Sequence, residues 1–162
     1  MSIHDHAEIG QRMEPQSSFM IKRVAKEDFE LLSHLRNQLW PQDSIAEHIK
    51  DFTDLSSTHG HVAFMAFDAK IAIAFAEVSL RFYVNGCHHR PVGFIEGLWC
   101  KDGYRNLGIG QRLSAQCEEW ARENGAKELA TDAYLENEMA HKAYQNWGFE
   151  MTETVVYFRK KL

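Results

Sequence analysis

The stretch from Pro91 to Gly110 constrains the fold more than any other part of the chain. Its first part, 92–100, is an apolar run typical of a buried β-strand. A glycine-containing turn, 105–110, follows and leads into a helical pattern. Such a turn leaves backbone N–H groups unpaired and the helix dipole adds partial positive charge, so the stretch predicts an anion site. The turn lacks the Gly-Lys-Ser/Thr of a P-loop and does not match the G-x-G-x-x-G dinucleotide pattern.

The length and composition predict one globular domain without disulfides. A chain of 162 residues can bury a real core, and 44% hydrophobic with 25% charged residues is typical of soluble proteins. No apolar run approaches the roughly 20 residues of a membrane span, and the polar N-terminus lacks a signal-peptide core. The three cysteines form no C-x-x-C pair, so neither disulfides nor a metal site are expected. We therefore expect a cytoplasmic protein with no membrane partner.

The charge balance favours a cationic ligand over an anionic polymer. The net charge is −5, and no stripe of lysine and arginine could follow a phosphate backbone. Nucleic acid is therefore not an expected partner. A polycationic small molecule fits the acidity better, although mild acidity is common.

The order of the patterns predicts an α/β fold. We expect a mobile leader over residues 1–18 and a single domain over 19–162. The predicted elements are strand 19–24, helices 26–40 and 43–55, strands 62–67 and 71–80, a polar excursion at 81–90, strand 92–100, helix 109–124, strand 127–133, helix 137–147 and one or two strands in 149–160. Strands and helices alternate irregularly, which favours a mixed central sheet flanked by helices.

A second motif lies downstream of the glycine turn. Asn137, Ala140 and Tyr144, followed by Gly148 and Phe149, form the pattern N-x-x-A-x-x-x-Y-x-x-x-G-F. Their spacing places the first three on one helical face. Together with the R-x-x-G-x-G of the glycine turn, this motif resembles the GCN5-related N-acetyltransferase superfamily, in which that turn holds the pyrophosphate of acetyl-coenzyme A.

The resemblance implies a single-domain acetyltransferase fold with acetyl-CoA as cosubstrate and no metal. Backbone N–H groups near Leu98 and Trp99 would bind the thioester oxygen. Tyr144 would protonate the departing thiolate, although a tyrosine before Gly-Phe can also be a core residue. The residues implied to contact the cosubstrate are Leu98, Trp99, Arg105, Asn106, Leu107, Gly108, Ile109, Gly110 and Asn137. The proline that the family often has before the turn is replaced by residues 100–103.

Glu96 is the one carboxylate in an otherwise apolar strand. An ionised carboxylate there is unfavourable unless it is paired or faces a cleft. A partner arginine, such as Arg90 or Arg105, would give it a structural role. If Glu96 lies in an active site, it would act as the general base. We favour this interpretation because carboxylates with shifted pKa values are concentrated in functional sites.

A finer resemblance extends through almost the whole chain after residue 20. The segments 39–41, 81–87, 94–97, 130–132 and 148–158 are similar to those of aminoglycoside 6′-N-acetyltransferases. That branch acetylates the 6′-amine of aminoglycoside antibiotics by direct transfer and confers resistance. The positions implied to line the acceptor pocket are Trp40, Tyr83, Glu96, Asp132 and Glu153.

Each acceptor position also has a plain structural reading. Trp40 could be core at a helix end, Tyr83 could anchor a turn, Asp132 could cap one, and Glu153 could be solvated. Relatives are commonly homodimers, which the apolar segment 155–158 could mediate. The rival functions are acetylation of another small polyamine, and a non-catalytic coenzyme-A-binding module.

Overall fold

The computed structural model describes residues 19–162, and the predicted leader lies outside the described residues. The strands are β1 (Met20–Arg23), β2 (His61–Asp68), β3 (Ile71–Arg81), β4 (Val92–Cys100) and β5 (Leu129–Thr131). The helices are α1 (Phe29–Leu39), α2 (Ile45–Ser56), α3 (Ile109–Glu123) and α4 (Glu138–Asn146), and one 3₁₀ turn (Lys26–Asp28) precedes α1.

The five strands form one mixed sheet in the order β1-β2-β3-β4-β5. The first four are antiparallel to their neighbours, and β5 joins β4 in parallel through the crossover that contains α3. The parallel pairing is short, because it runs only from Gly93 opposite Leu129 to Ile95 opposite Thr131. The second half of β4 therefore has no strand beside it on the β5 side among residues 19–162.

Each face of the sheet is covered by helices. Helix α3 buries Leu113, Cys117 and Trp120 against one face. Helices α1 and α2 bury Leu32, Leu35 and Phe52 against the other. Gly93 permits the close approach of α3, since a Cβ there would lie 2.5 Å from the Ala121 Cβ. This two-sided burial explains why the central strands read as nearly continuous apolar runs.

Most predicted elements are present at nearly the predicted bounds, and the mixed sheet flanked by helices is confirmed. Strand β5 is shorter than predicted, with three residues. The prediction of strands within 149–160 is wrong for the single chain: no strand follows α4, and every residue from 150 onward is exposed. A strand needs a neighbour for its backbone hydrogen bonds, and this segment has none within the described chain. None of the helices in residues 19–162 is long and apolar enough to cross a membrane.

Contacts with Glu128 and with Thr152 hold the polar excursion between β3 and β4. The Glu128 carboxylate accepts hydrogen bonds from the backbone N–H groups of His88 and His89, at 2.8 and 2.6 Å. These hydrogen bonds lower the pKa of Glu128, and the one from the His89 N–H has the largest effect. Gly86 packs so closely on Thr152 that a Cβ would lie 2.4 Å from its Oγ1. The excursion is thus attached to the sheet and to the C-terminal segment.

Candidate active site

A β-bulge in β4 places Glu96. The β3–β4 register shifts by one residue, from Val78 opposite Ile95 to Glu77 opposite Gly97, so Glu96 has no partner on β3. A bulge breaks the alternation of side chains. As a result Glu96 and Gly97 both point to the face covered by α1 and α2.

The bulge lies where β5 stops pairing with β4. Beyond Ile95 the β5-facing edge of β4 carries no strand partner in the described chain, and alternate backbone N–H and C=O groups of 96–100 point to this edge. Unpaired N–H and C=O groups at a strand edge are ready to bind an extended ligand. Leu98 and Trp99, near which the donors to a thioester oxygen are predicted, lie two and three residues from Glu96.

The turn after β4 leaves the N-terminus of α3 open. Gly108 is the N-cap with φ of 78°, and within residues 19–162 no side chain caps the helix or places an acidic group in its first turn. Asn106 is also left-handed, with φ of 62°. Arg105 closes the turn, because its Nε donates to the Cys100 carbonyl at 3.2 Å and its Nη2 lies 3.1 Å from Asp102 Oδ1. The free N–H groups of the first helical turn suit a phosphate.

Helix α4 brings Tyr144 to the end of β5. The Asn137 side chain accepts a hydrogen bond from the Ala140 N–H at 3.1 Å and so caps this helix. Tyr144 packs edge-on against Trp147 and Phe149, with centroids 5.6 and 5.4 Å away. Burial raises the pKa of Tyr144, while a hydrogen bond with Thr131 works in the opposite direction. The phenol is consequently protonated at neutral pH.

On the α1–α2 side of the sheet, Glu96 faces a cleft of about 760 Å³. The cleft is rich in titratable side chains: Arg36, Asp43, His48, Asp51, His61, Glu77 and Glu96 all line it. Four of these are carboxylates and one is an arginine, and Arg81 pairs with Glu96 from outside the lining, so with neutral histidines the group carries two net negative charges. Such a cleft attracts cations.

Trp40 forms one wall of this cleft. Gly97 makes room for the indole, since a Cβ there would lie 2.5 Å from Trp40 Cζ2. The Arg36 guanidinium lies 5.2 Å from the ring centroid, and Phe75 packs edge-on at 6.0 Å. His48 Nε2 lies 3.0 Å from the Trp40 carbonyl oxygen. Because that oxygen only accepts, Nε2 carries the proton.

A buried charge cluster forms the floor of the cleft. Glu77 is 1% exposed, and its Oε1 lies 2.9 Å from His61 Nε2. Its Oε2 lies 3.0 Å from Arg36 Nε, an ion pair whose angles are not those of a hydrogen bond. Arg36 also donates to the His48 carbonyl at 2.9 Å and to Asp51 at 2.6 Å. Arg36 therefore joins α1, α2 and the sheet.

Glu96 itself is paired, but not with the arginines suggested from the sequence. Neither Arg90 nor Arg105 is its partner. Arg81, at the end of β3, binds both carboxylate oxygens, with Nε 3.0 Å from Oε1 and Nη2 2.5 Å from Oε2. Ser79 Oγ donates to Oε1 at 2.5 Å. The alternation of β3 places both partners on the face to which the bulge turns Glu96.

The other predicted acceptor residues do not line this cleft. Tyr83 is 59% exposed in the excursion, with the Arg90 guanidinium 5.8 Å from its ring. Asp132 is exposed just after β5, and Glu153 is exposed in the C-terminal segment. The structure thus brings Trp40 and Glu96 together, and the roles of the other three stay predictions.

Sequence reasoning missed Glu77, Asp51 and Asp43. For Glu77 a signal existed, since it is a lone carboxylate in the apolar strand 71–80, as Glu96 is in 92–100. Asp43, in the turn before α2, and Asp51, within α2, have no such mark, because charged residues in turns and on helices are usually solvated. They lie in the same cleft as Glu96 because α2 packs beside α1 and β2.

The cysteines and the metal-ligating side chains suggest no further chemistry. Cys87, Cys100 and Cys117 are free thiols. Burial raises the pKa of Cys117 to about 12, and it also raises the pKa of Cys87 and Cys100. Within residues 19–162, no three His, Cys, Asp or Glu side chains are grouped as metal ligands.

The acetyltransferase (GNAT) family profile matches residues 25–149. The chain belongs to this family, which confirms the family resemblance seen in its motifs. An aminoglycoside N(6′)-acetyltransferase type 1 of Serratia marcescens is 42% identical over 130 residues, which cover 79% of this chain and 89% of the relative.

Two solved structures share the fold. One is AAC(6′)-Iy in complex with the bisubstrate analogue CoA-S-monomethyl-acetylneamine, with a TM-score of 0.86 and 35% identity, covering 90% of this chain and all of that one. The other is the ligand-free structure of AAC(6′)-IG from Acinetobacter haemolyticus, an aminoglycoside 6′-N-acetyltransferase. It has a TM-score of 0.82 and 38% identity, and the match covers 88% of this chain and 99% of that one.

Proposed function

We propose that this protein transfers the acetyl group of acetyl-CoA to the 6′-amino group of aminoglycosides and so confers antibiotic resistance. One observation supports this most: the bulge at Glu96 joins an acidic cleft on one face of β4 to an unpaired strand edge and an open helix N-terminus. An amine in the cleft would meet a thioester lying along that edge. The relatives named above have this activity in their names.

The residues of the turn fit the cosubstrate. The pyrophosphate would bind the N–H groups at the start of α3, where Gly108 avoids the strain of a left-handed side chain. The extended arm would pair with the free edge of β4 near Leu98 and Trp99, and Asn137 would border it from α4. Arg105, which closes the turn, would add positive charge nearby.

The acidic cleft fits a polycation. The exposed carboxylates Asp43 and Asp51 line it with Glu96, whereas Glu77 is buried and already paired, so more than one ammonium group could be bound. The exposed part of the Trp40 ring offers a face for a sugar and for cation–π attraction, worth about 0.5–2 kcal/mol. Tyr83, Asp132 and Glu153 would contribute to the outer part of the acceptor site.

The reaction requires a neutral amine. An alkyl ammonium with a pKa near 10 must lose a proton, which costs about 4 kcal/mol at neutral pH. Glu96 would accept this proton directly or through water. The freed lone pair forms the N–C bond to the thioester carbon while the C–S bond breaks, and the second proton that the nitrogen must lose would pass through water to replace the one that Tyr144 gives up. Tyr144, protonated because burial raises its pKa, would give its proton to the departing thiolate.

We propose that the transfer is direct, without an acetylated cysteine. All three thiols have raised pKa values, so little thiolate is present to act as nucleophile. A mass spectrum of the enzyme during turnover should show no acetyl group on Cys87, Cys100 or Cys117. A kinetically competent acetyl-cysteine would contradict the direct route.

Thiol release from acetyl-CoA tests the substrate. Neomycin should support turnover, and paromomycin, which carries a hydroxyl in place of the 6′-amine, should not. Equal turnover with both would move the acetylated position elsewhere on the antibiotic. Turnover with spermidine alone would leave the acetyltransferase assignment in place and make a polyamine the substrate.

Glu96→Gln tests the base. If Glu96 takes the proton, kcat should fall by ~10²–10³ with little change in the acceptor KM. If only the acceptor KM rises, Glu96 is an anchor for the ammonium and another group or water is the base. Asp132→Asn should instead raise the acceptor KM chiefly.

We also propose a cytoplasmic homodimer. The support is the C-terminal segment, where Val156, Tyr157 and Phe158 are 75%, 81% and 94% exposed, beside a sheet whose last strand has three residues. Such an apolar segment could complete the sheet of a second copy. Sedimentation should give a dimer for the full chain and a monomer for a Tyr157→Asp, Phe158→Asp variant. A wild-type monomer at micromolar concentration would contradict this.

A further inference from the structure

The Glu96 carboxylate already binds a cation that belongs to the chain itself. Arg81 contacts both oxygens, at 3.0 and 2.5 Å, and Ser79 takes a further position on Oε1. A carboxylate offers about four lone-pair sites, so three of them are filled. An ammonium group arriving from the cleft needs several of the same sites. Arg81 and the acceptor amine therefore compete for Glu96.

Arg81 is placed so that it can leave. It is the last residue of β3 and its side chain is 42% exposed, whereas the Glu96 side chain is 24% exposed. Its guanidinium stacks 3.5 Å from the Phe94 ring centroid, a contact that does not depend on Glu96. By contrast Arg36, the arginine on the cleft floor, is 5% exposed and has three anchors. Among the arginines of residues 19–162, Arg81 is the one that combines a bond to Glu96 with access to solvent.

We propose that Arg81 is an internal counter-cation that the reacting ammonium of the acceptor must replace on Glu96, and that this competition moderates the preference of the site for a cationic over a neutral acceptor. This inference rests on the proposed function. An acceptor with a cation at the reacting position compensates Glu96 for the loss of Arg81. A neutral hydroxyl at that position does not, so Arg81 stays in place.

The same exchange acts on the product. Acetylation converts the ammonium into a neutral amide, which offers Glu96 no charge. Arg81 then pairs with Glu96 again, and the return of this ion pair favours departure of the product. Arg81 thereby narrows the difference in affinity between the cationic substrate and the neutral product.

Calorimetric titration without acetyl-CoA tests the exchange. The proteins are wild type, Arg81→Gln and Arg81→Lys, and the ligands are neomycin and paromomycin. Removing the competing cation should raise the ratio of neomycin affinity to paromomycin affinity up to about fivefold in Arg81→Gln, the range of a partly exposed ion pair. Arg81→Lys keeps the charge but loses the bidentate contact, so its affinity ratio should lie between those of the wild type and Arg81→Gln.

Arg122→Gln is the matched control. Arg122 is an exposed arginine that pairs with Glu118 and Glu119 on the outer side of α3, so its loss changes the net charge equally. The affinity ratio should stay at the wild-type value in this variant. The same shift in Arg122→Gln as in Arg81→Gln would show a general charge effect and overturn the inference.

The outcomes separate the inference from the proposed function. An unchanged or lowered ratio in Arg81→Gln, with wild-type turnover of neomycin, overturns the role of Arg81 alone. A raised ratio without turnover of neomycin by the wild type overturns the proposed reaction and supports the exchange. Failure of the wild type to bind neomycin overturns both.

Discussion

Gly97 sets the position of Trp40, and Gly97→Ala should disturb it in a measurable way. The new Cβ would lie 2.5 and 2.6 Å from Cζ2 and Cη2 of the indole and 2.8 Å from Leu39 Cδ2. Contacts below 3.0 Å are not tolerated, so one side must move. Trp40 is held by Arg36 and Phe75, and β4 is held by its neighbours in the sheet.

Overpacking of this kind costs about 1–3 kcal/mol. For a chain of this length the melting temperature should therefore fall by roughly 3 to 9 °C. If the indole is pushed from the cleft wall, the acceptor also loses its stacking partner. The acceptor KM should then rise about three- to tenfold, the equivalent of ~0.7–1.4 kcal/mol of cation–π and stacking contact.

Thermal unfolding and steady-state kinetics with neomycin provide the two readouts. Gly60→Ala is the stability control, because a Cβ there would have only the Thr58 carbonyl near it, at 3.9 Å. In the double variant Gly97→Ala, Trp40→Phe the smaller ring should relieve the contact, giving a coupling free energy of about 1–2 kcal/mol. If Gly97→Ala kept the melting temperature and the acceptor KM of the wild type, the close packing of Trp40 against Gly97 would be refuted.

Three further predictions follow from single contacts. Tyr144→Phe should lower kcat ~10²-fold if the phenol is the acid. Because burial raises the pKa of Tyr144, the alkaline fall of wild-type kcat should lie above pH 10. A Tyr144→Phe variant with wild-type kcat would show that Tyr144 is a packing residue. In His48→Gln the side-chain amide nitrogen can take the place of Nε2, so its acceptor KM should be nearer to the wild-type value than that of His48→Asn. Equal KM values in the two variants would show that the hydrogen bond to the Trp40 carbonyl is unimportant. Glu128→Gln should lower the melting temperature at neutral pH, and the difference should shrink as pH falls below 4.5, because the lowered pKa of Glu128 contributes stability only while the carboxylate is ionised; a difference independent of pH would contradict this.

The sequence predicts the strand that carries the site because the strand is buried on both sides. The bounds of β4 and the start of α3 agree with the predicted ones, since an apolar run, a glycine turn and an amphipathic pattern are all local signals. The bulge in β4 is not marked by any of these local patterns. It arises from the register between β3 and β4, and it determines that Glu96 and Gly97 share a face.

The partners of Glu96 illustrate what local patterns leave open. Arg90 and Arg105 are nearer in sequence, yet Arg81 is the partner because β3 and β4 are adjacent and antiparallel. The C-terminal segment illustrates the opposite case. Its apolar and β-branched residues favour a strand, but a strand forms only where an edge is available to pair with it, and within one chain this segment has no such neighbour.

The regiochemistry of the product tests the central claim most directly. Neomycin would be treated with the wild-type enzyme and ¹³C-acetyl-labelled acetyl-CoA, and the labelled carbon located by NMR through its couplings to the sugar protons. The account predicts a single amide on the 6′ nitrogen, formed by wild type and lost or greatly slowed with Glu96→Gln. An acetyl group on another nitrogen or on oxygen, or the 6′ product at the wild-type rate from Glu96→Gln, would contradict it.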